Sequence, residues 1–129
     1  MFRASRKLGL IHSDLCGPMP FPSANGNKYI MTFIDDYTRM CWVYLLKEKS
    51  QAFDTFKNFH LWIKNETQLN IGTLRSDNGR EYTSIDFEKY LQENGIKHQK
   101  TLIIKDQSSR NWLRIVIWSF ILIQAKYNN

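Results

Sequence analysis

The chain has 129 residues, enough for one hydrophobic core of ordinary size. A composition 43% hydrophobic and 14% aromatic excludes a disordered or low-complexity chain. Lys and Arg number 18 against 12 Asp and Glu, and the resulting charge of +6 favours polyanionic partners, nucleic acid above all.

Residues 1–9 (MFRASRKLG) read as a basic extension without the apolar stretch of a signal peptide. Leu8 to Asp14 is a short apolar run closing on an acid, expected as a strand. CGPMPFPSANGNK follows, a loop with all three prolines and an Asn25-Gly26 turn signal. Tyr29–Ile34 and Cys41–Leu46 are β-branched and aromatic, and should pair as an antiparallel hairpin over the DDYTRM link.

Ser50 is a candidate N-cap for a helix over Gln51–Asn65, with Phe53, Phe56, Phe59 and Ile63 at helical spacing. Leu69–Ser76 returns to a strand pattern and ends at Asp77-Asn78-Gly79. Thr83 or Ser84 should cap a second helix, with Phe87, Tyr90 and Leu91 as its apolar stripe and Gly95 beyond its end. Ile96–Thr101 begins a further strand. The order strand, strand, strand, helix, strand, helix, strand predicts an α/β fold: a mixed sheet, antiparallel on one side and parallel on the other, with flanking helices.

Cys16 and Cys41 form no CxxC pair, so they read as small core residues of a protein in a reducing compartment, nuclear or cytoplasmic. The apolar stretch from Trp112 to Ile123 carries Arg114 and Ser119 and falls short of the about 20 residues a bilayer span needs, so no membrane partner is expected. Trp112, Ile115, Trp118 and Leu122 fall near helical spacing, and a helix across the sheet is the expectation there.

Asp14 and Asp77 both end predicted strands. If those strands are neighbours, the two carboxylates face each other and repel. A divalent cation with a preference for hard oxygen ligands, Mg²⁺ or Mn²⁺, relieves that repulsion. Two such ions would clamp the attacking and leaving oxygens of a phosphoryl transfer. Lone acids at strand ends are common, so spacing alone leaves a solvated carboxylate as the alternative.

The stretches LIHSDLCGP, FIDDYTR, WVYLLKEKS and RSDNGREYTS change that balance. Together they closely resemble the integrase catalytic core of Copia-type retrotransposons, over roughly Leu10 to Thr101. The resemblance implies a ribonuclease H-like fold, strand transfer on DNA and two Mg²⁺ ions held by two aspartates and a glutamate. By motif match the aspartates are Asp14 and Asp77, the catalytic and metal-binding candidates. It also implies DNA as partner and function as a multimer, so homo-oligomerisation is an open expectation.

The resemblance divides the chain into the extension at 1–9, a core at 10–101 and a divergent apolar tail at 102–129. It stops before the family's glutamate, whose approximate position holds Leu113; Asp106 is the only acid after Thr101. One synonymous back-translation of Gln107 to Leu113, read in a shifted frame, gives NPQEIGL, close to the family's stretch, so a frameshifted tail is one expectation. With the third ligand missing, the core should be incomplete at its C-terminal side and the chain catalytically impaired. The alternative is a non-enzymatic module that binds nucleic acid or a protein partner.

Candidate nucleic-acid contacts are Asn78, Lys57, Lys64, Lys97 and Lys100, with Lys89 beside them. Asn78 and Glu81 are candidates for supporting the site or touching substrate, with a turn Asn and a solvated Glu as alternatives. Asp35 and Asp36 sit in the hairpin link and are expected to shape the turn or bond Arg39. His12 should share the side of Asp14 and pack or hydrogen-bond rather than ligate; His60 and His98 lack partners at zinc spacing.

Overall fold

A computed structural model describes residues 4–19 and 25–101. The tail at 102–129, with the expectations for Asp106, Leu113, a substitute helix and an incomplete core, lies outside the described residues, as do residues 20–24 of the proline loop.

Three strands come first: β1 (Leu10–Cys16), β2 (Tyr29–Asp35) and β3 (Cys41–Leu46). A single 3₁₀ turn, Lys49–Gln51, leads into α1 (Ala52–Thr67). Then follow β4 (Thr73–Ser76), the short α2 (Arg80–Thr83), α3 (Ile85–Glu93) and β5 (Lys97–Lys100). The described strands form one five-stranded sheet in the order β3-β2-β1-β4-β5. β1–β2 and β2–β3 are antiparallel; β1–β4 and β4–β5 are parallel. The predicted mixed sheet is therefore the observed one, with β1 at its centre.

Strand alternation sorts the two faces. One face carries Ile11, Met31, Phe33, Trp42, Tyr44, Leu46 and Leu74, and meets Phe56, Phe59 and Ile63 of α1 and Phe87 and Leu91 of α3. Phe33 stacks on Phe59 with ring centres 4.3 Å apart. The helical spacing of Phe56, Phe59 and Ile63 therefore reports this burial. His60 is buried with them: its Nδ1 meets the Tyr90 hydroxyl at 2.7 Å and its Nε2 the Asn70 Oδ1 at 2.7 Å. Asn70 Nδ2 donates to the Asn94 carbonyl, so Asn70 turns its oxygen to the ring and Nε2 carries the hydrogen. Burial lowers the pKa of His60, partly offset by the Asn70 bond, with Lys64 adding to the lowering.

Several local expectations need correction. β1 begins at Leu10, not Leu8, and runs two residues past Asp14, because β2 pairs with it as far as Cys16. Leu8 has φ 63° and is fully buried, so residues 4–9 fold into the body instead of standing off as an extension. The Ala4 amide donates to Asp36 Oδ2, and the Gly72 amide to the Leu8 carbonyl. Leu69–Gly72 is not strand; pairing of β4 begins at Thr73. Ser50 does not cap α1. Gln51 reaches back, taking the Lys47 and Glu48 amides on Oε1 at 2.8 and 3.0 Å, and Ser50 Oγ goes to Glu48 Oε2. Ser84 does cap α3, accepting from the Phe87 amide, but the helical turn α2 before it had no signal in the pattern. Gly95 at φ 68° ends α3 as expected. Cys41 is exposed on the edge strand and Cys16 half-buried, so neither is a core residue.

Candidate functional site

Parallel pairing of β1 with β4 ends at His12 opposite Arg75. Two residues further along each strand stand Asp14 and Asp77. By register the two candidates stand level on neighbouring strands, Asp77 just past the end of β4 and Asp14 two residues before the end of β1. Strand order decides this: β1 and β4 are adjacent although more than fifty residues of chain, including β2, β3 and α1, lie between them.

Each carboxylate is held from its own backbone. Asp14 Oδ1 accepts the Leu15 amide at 3.0 Å, and the Cys16 thiol donates to Oδ2 at 3.6 Å. Asp77 Oδ1 accepts the Gly79 amide at 2.8 Å, which closes the Asp77-Asn78-Gly79 turn. Glu81 leans into the same turn. A Cβ on Gly79 would sit 2.6 Å from Glu81 Oε1 and 2.9 Å from Asp77 Oδ1, so glycine leaves room for both carboxylates. Asn78 is exposed at the tip of the turn.

Tyr82 lies beneath these acids, fully buried, and its hydroxyl meets Ser13 Oγ at 2.8 Å. Burial raises the phenol well above its usual pKa, and the negative charges of Asp14, Asp77 and Glu81 raise it further against the Ser13 bond. All three carboxylates act on one phenol, which ties α2 and both strand ends to one locality. Thr32 pairs directly with Asp14 across β1 and β2 and shares its face. Its hydroxyl is buried and has no hydrogen-bond partner among the described residues.

Among the described residues no group of three or more His, Cys, Asp or Glu is arranged to hold a metal ion. Asp14 and Asp77 offer a pair of hard carboxylate donors, which suits Mg²⁺ or Mn²⁺. By donor chemistry alone, this pair fits such an ion.

The other acids have different work. Asp35 is fully buried: Oδ1 accepts the Leu8 and Tyr37 amides at 3.2 Å each, and Thr38 Oγ1 donates to Oδ2 at 2.8 Å. Asp36 Oδ1 meets His12 Nε2 at 2.9 Å, with Arg39 at 3.8 Å. Burial raises the Asp36 pKa, but the Ala4 amide, His12 and Arg39 outweigh it and hold the carboxyl below its usual value.

The lysine candidates do not form one surface. Lys57 is half-buried, its ammonium 5.0 Å from the Phe53 ring centre and 6.0 Å from that of Tyr90. It is not turned away from the stripe, because aromatic faces attract the cation. Lys100 pairs with Glu88 at 3.0 Å, and Lys89 sits 3.9 Å from Glu93. Lys97 and Lys100 are three apart on one strand and so face opposite sides of the sheet. Lys64 is exposed on α1. Lys97 shares its sheet face with Arg75, whose Nε donates to Gln99 Oε1 at 2.6 Å. Sequence reasoning passed over Arg75, which lies two residues from Asp77 on β4; strand alternation was the signal that could have found it. No helix among the described residues is long and apolar enough to cross a membrane.

A mixed five-stranded sheet with acids at the rim of two adjacent parallel strands defines a ribonuclease H-like integrase-type fold, and solved structures agree. One chain of the cryo-EM structure of a simian T-cell lymphotropic virus intasome in complex with PP2A regulatory subunit B56 gamma matches with TM-score 0.71 at 17% identity, covering 98% of this chain and 43% of that one. The HTLV-2 integrase catalytic core domain in complex with magnesium, trimeric form, matches with TM-score 0.62 at 16% identity over 77% of this chain and 63% of that one. In sequence, the integrase core domain model matches residues 4–101. The chain belongs to the integrase core domain family. The retrovirus-related Pol polyprotein from transposon TNT 1-94 of Nicotiana tabacum is 53% identical over 95 residues, 74% of this chain. The Pol polyprotein from transposon RE2 of Arabidopsis thaliana is 41% identical over 95 residues, and the truncated Ty1-A Gag-Pol polyprotein of Saccharomyces cerevisiae 32% over 88. The chain spans 6–7% of the length of these relatives.

Proposed function

We propose that this chain is the cation- and DNA-binding body of a retrotransposon integrase core, in which Asp14 and Asp77 hold a divalent ion, Mg²⁺ or Mn²⁺, against a DNA phosphodiester. What supports the reading is the parallel pairing of β1 with β4, whose register brings these two acids level on neighbouring strands. A bound ion supplies Lewis-acid charge that activates an attacking oxygen and stabilises the leaving one. The chain's own residues set the stage. The Leu15 amide and the Gly79 amide each hold one oxygen of a carboxylate, and Asp14 Oδ2 also takes the Cys16 thiol at 3.6 Å. Tyr82 keeps its proton at working pH and shares a hydrogen bond with Ser13, so it does not act as a base. Arg75 and Lys97, on the face shared with Asp14, are the phosphate contacts we favour over Lys57 and Lys100, whose charges are already engaged.

Two carboxylates hold two ions poorly, and no glutamate follows Thr101 in the chain. We therefore expect DNA and metal binding with little strand transfer by this chain alone. Incubation of the full chain with Mn²⁺ and a donor-end oligonucleotide tests this; robust joining products would refute the impairment. The cation site itself is tested by calorimetric titration with Mn²⁺, which should lose its signal in Asp14→Asn with Asp77→Asn.

The net charge of +6 favours a second reading, a nucleic-acid binder that needs no ion. DNA binding that falls steeply with salt and ignores the double substitution would favour it. Association with further copies of the chain is part of the first reading, and sedimentation with donor DNA present would reveal it.

A further inference from the structure

A second polar cluster lies beside Asp77 and joins β4, β5 and α3. Ser76, immediately before Asp77, is 2% exposed. Its Oγ lies 2.8 Å from His98 Nε2 on β5 and 2.9 Å from the Asp77 carbonyl oxygen. His98 Nδ1 lies 2.9 Å from Glu88 Oε1 on α3, and the Lys100 ammonium meets the same oxygen at 3.0 Å. The Phe87 ring stacks on the imidazole, 6.2 Å between centres. The Thr101 amide donates to the Ser76 carbonyl at 2.8 Å. The Ser-His-Glu order resembles a hydrolytic triad, but a nucleophile has to meet substrate and this hydroxyl is sealed.

The hydrogen inventory gives the cluster a different task. A carboxylate only accepts, so His98 Nδ1 carries the hydrogen bonded to Glu88. Burial drives His98 toward the neutral ring against the pull of Glu88, and Nε2 is then a lone pair. The one hydroxyl proton of Ser76 lies between that lone pair and the Asp77 carbonyl. Glu88 is itself anchored by Lys100, so α3 and β5 together set the last peptide of β4.

We propose that Ser76, His98 and Glu88 form a positioning relay that fixes the peptide of Asp77 and thereby aims its carboxylate. The proposal rests on the reading of Asp77 as a cation ligand, and it explains why that acid, beyond the end of a four-residue strand, is nonetheless held. His98 and Glu88 act through Ser76 and never touch the ion.

The test uses the full chain and two readouts. Hydrogen exchange at the Gly79 amide, whose acceptor is Asp77 Oδ1, reports the aim of the carboxylate without any metal. Calorimetry with Mn²⁺ reports the site. His98→Phe keeps the ring stack and removes both bonds. We expect Gly79 exchange about tenfold faster and Mn²⁺ affinity about tenfold weaker, with the Phe33 and Leu74 amides unchanged, and substantial recovery of both in His98→Gln. Glu88→Gln, at a partly exposed position, should shift both readouts the same way by a few-fold and covers the case of a poorly folding His98→Phe. Unaltered Gly79 exchange and Mn²⁺ affinity would overturn the relay, as would a rise at Gly79 merely matching that of the core amides. Should the wild-type chain bind no Mn²⁺, the cation reading fails, and the relay is then decided on Gly79 exchange alone.

Discussion

Replacing Asp35 by alanine separates a structural acid from a functional one. Asp35 adjoins Asp36 in a motif of the integrase resemblance, and an acidic pair at a strand end invites a metal-binding interpretation. Its carboxylate instead receives the Leu8 amide, the Tyr37 amide and the Thr38 hydroxyl. Tyr37 and Thr38 are exposed and re-bond to water on truncation, so each loses no more than about 1 kcal/mol. Leu8 is buried, and its orphaned amide costs about 1–3 kcal/mol. The total is about 3 kcal/mol, a large share of the ~5–15 kcal/mol by which domains are stable. With a urea slope of about 1.5–2 kcal/mol per molar, the unfolding midpoint of the full chain should fall by about 1.5–2 M. Asp35→Asn, which keeps one acceptor oxygen, should lose about half as much and bind Mn²⁺ like wild type. A midpoint shift under about 0.5 M at unchanged slope, or loss of Mn²⁺ binding in a folded Asp35→Asn, would refute this assignment.

Acidification should destabilise the fold above the carboxylate range. His60 and His98 have lowered folded values, so their unfolded forms bind protons first and stability falls as pH drops below about 6.5, by at most ~1.4 kcal/mol per unit for each. Asp36 and Glu88, also lowered, lose their contribution only below the ordinary carboxylate range; urea midpoints that stay flat from pH 7.5 to 5.5 would count against buried neutral histidines. Gly79→Ala should leave stability nearly intact, since φ −58° suits alanine, yet weaken Mn²⁺ several-fold by pushing apart the Glu81 and Asp77 carboxylates; equal affinity in calorimetry would show that Glu81 yields without disturbing Asp77. Tyr82→Phe removes the bond to Ser13 and strands a buried hydroxyl, so urea unfolding should show a loss of about 1–2 kcal/mol; no measurable loss would mean that Ser13 finds another partner.

Much of the fold was legible because its signals are local. The period of Phe56, Phe59 and Ile63, the glycine ending α3 and the Ser84 cap depend on neighbours a few residues away. The misses share a cause. Ser50 has the chemistry of a cap, but its hydroxyl turns to Glu48, while Gln51 takes the Lys47 and Glu48 amides ahead of the helix. Leu69–Gly72 has strand residues, yet its backbone partners lie in the chain before β1 and in β5, which no local pattern discloses. The lysines counted as phosphate contacts looked equivalent until packing set Lys57 over aromatic rings and Lys100 against Glu88.

By itself the sequence determined the alternation of strand and helix, the basic charge, and the two acids as the residues worth watching, since each follows from residue type and short-range period. Only the tertiary structure decided that β1 and β4 lie side by side and bring residues 14 and 77 to one rim. Only it decided that Thr32 stands opposite the first acid with its hydroxyl unbonded among the described residues, and that His98 meets Ser76 beside the second. Those juxtapositions depend on strand order and on the two-residue repeat of side-chain direction between segments far apart in the chain, and short-range chemistry does not encode which distant segments pair.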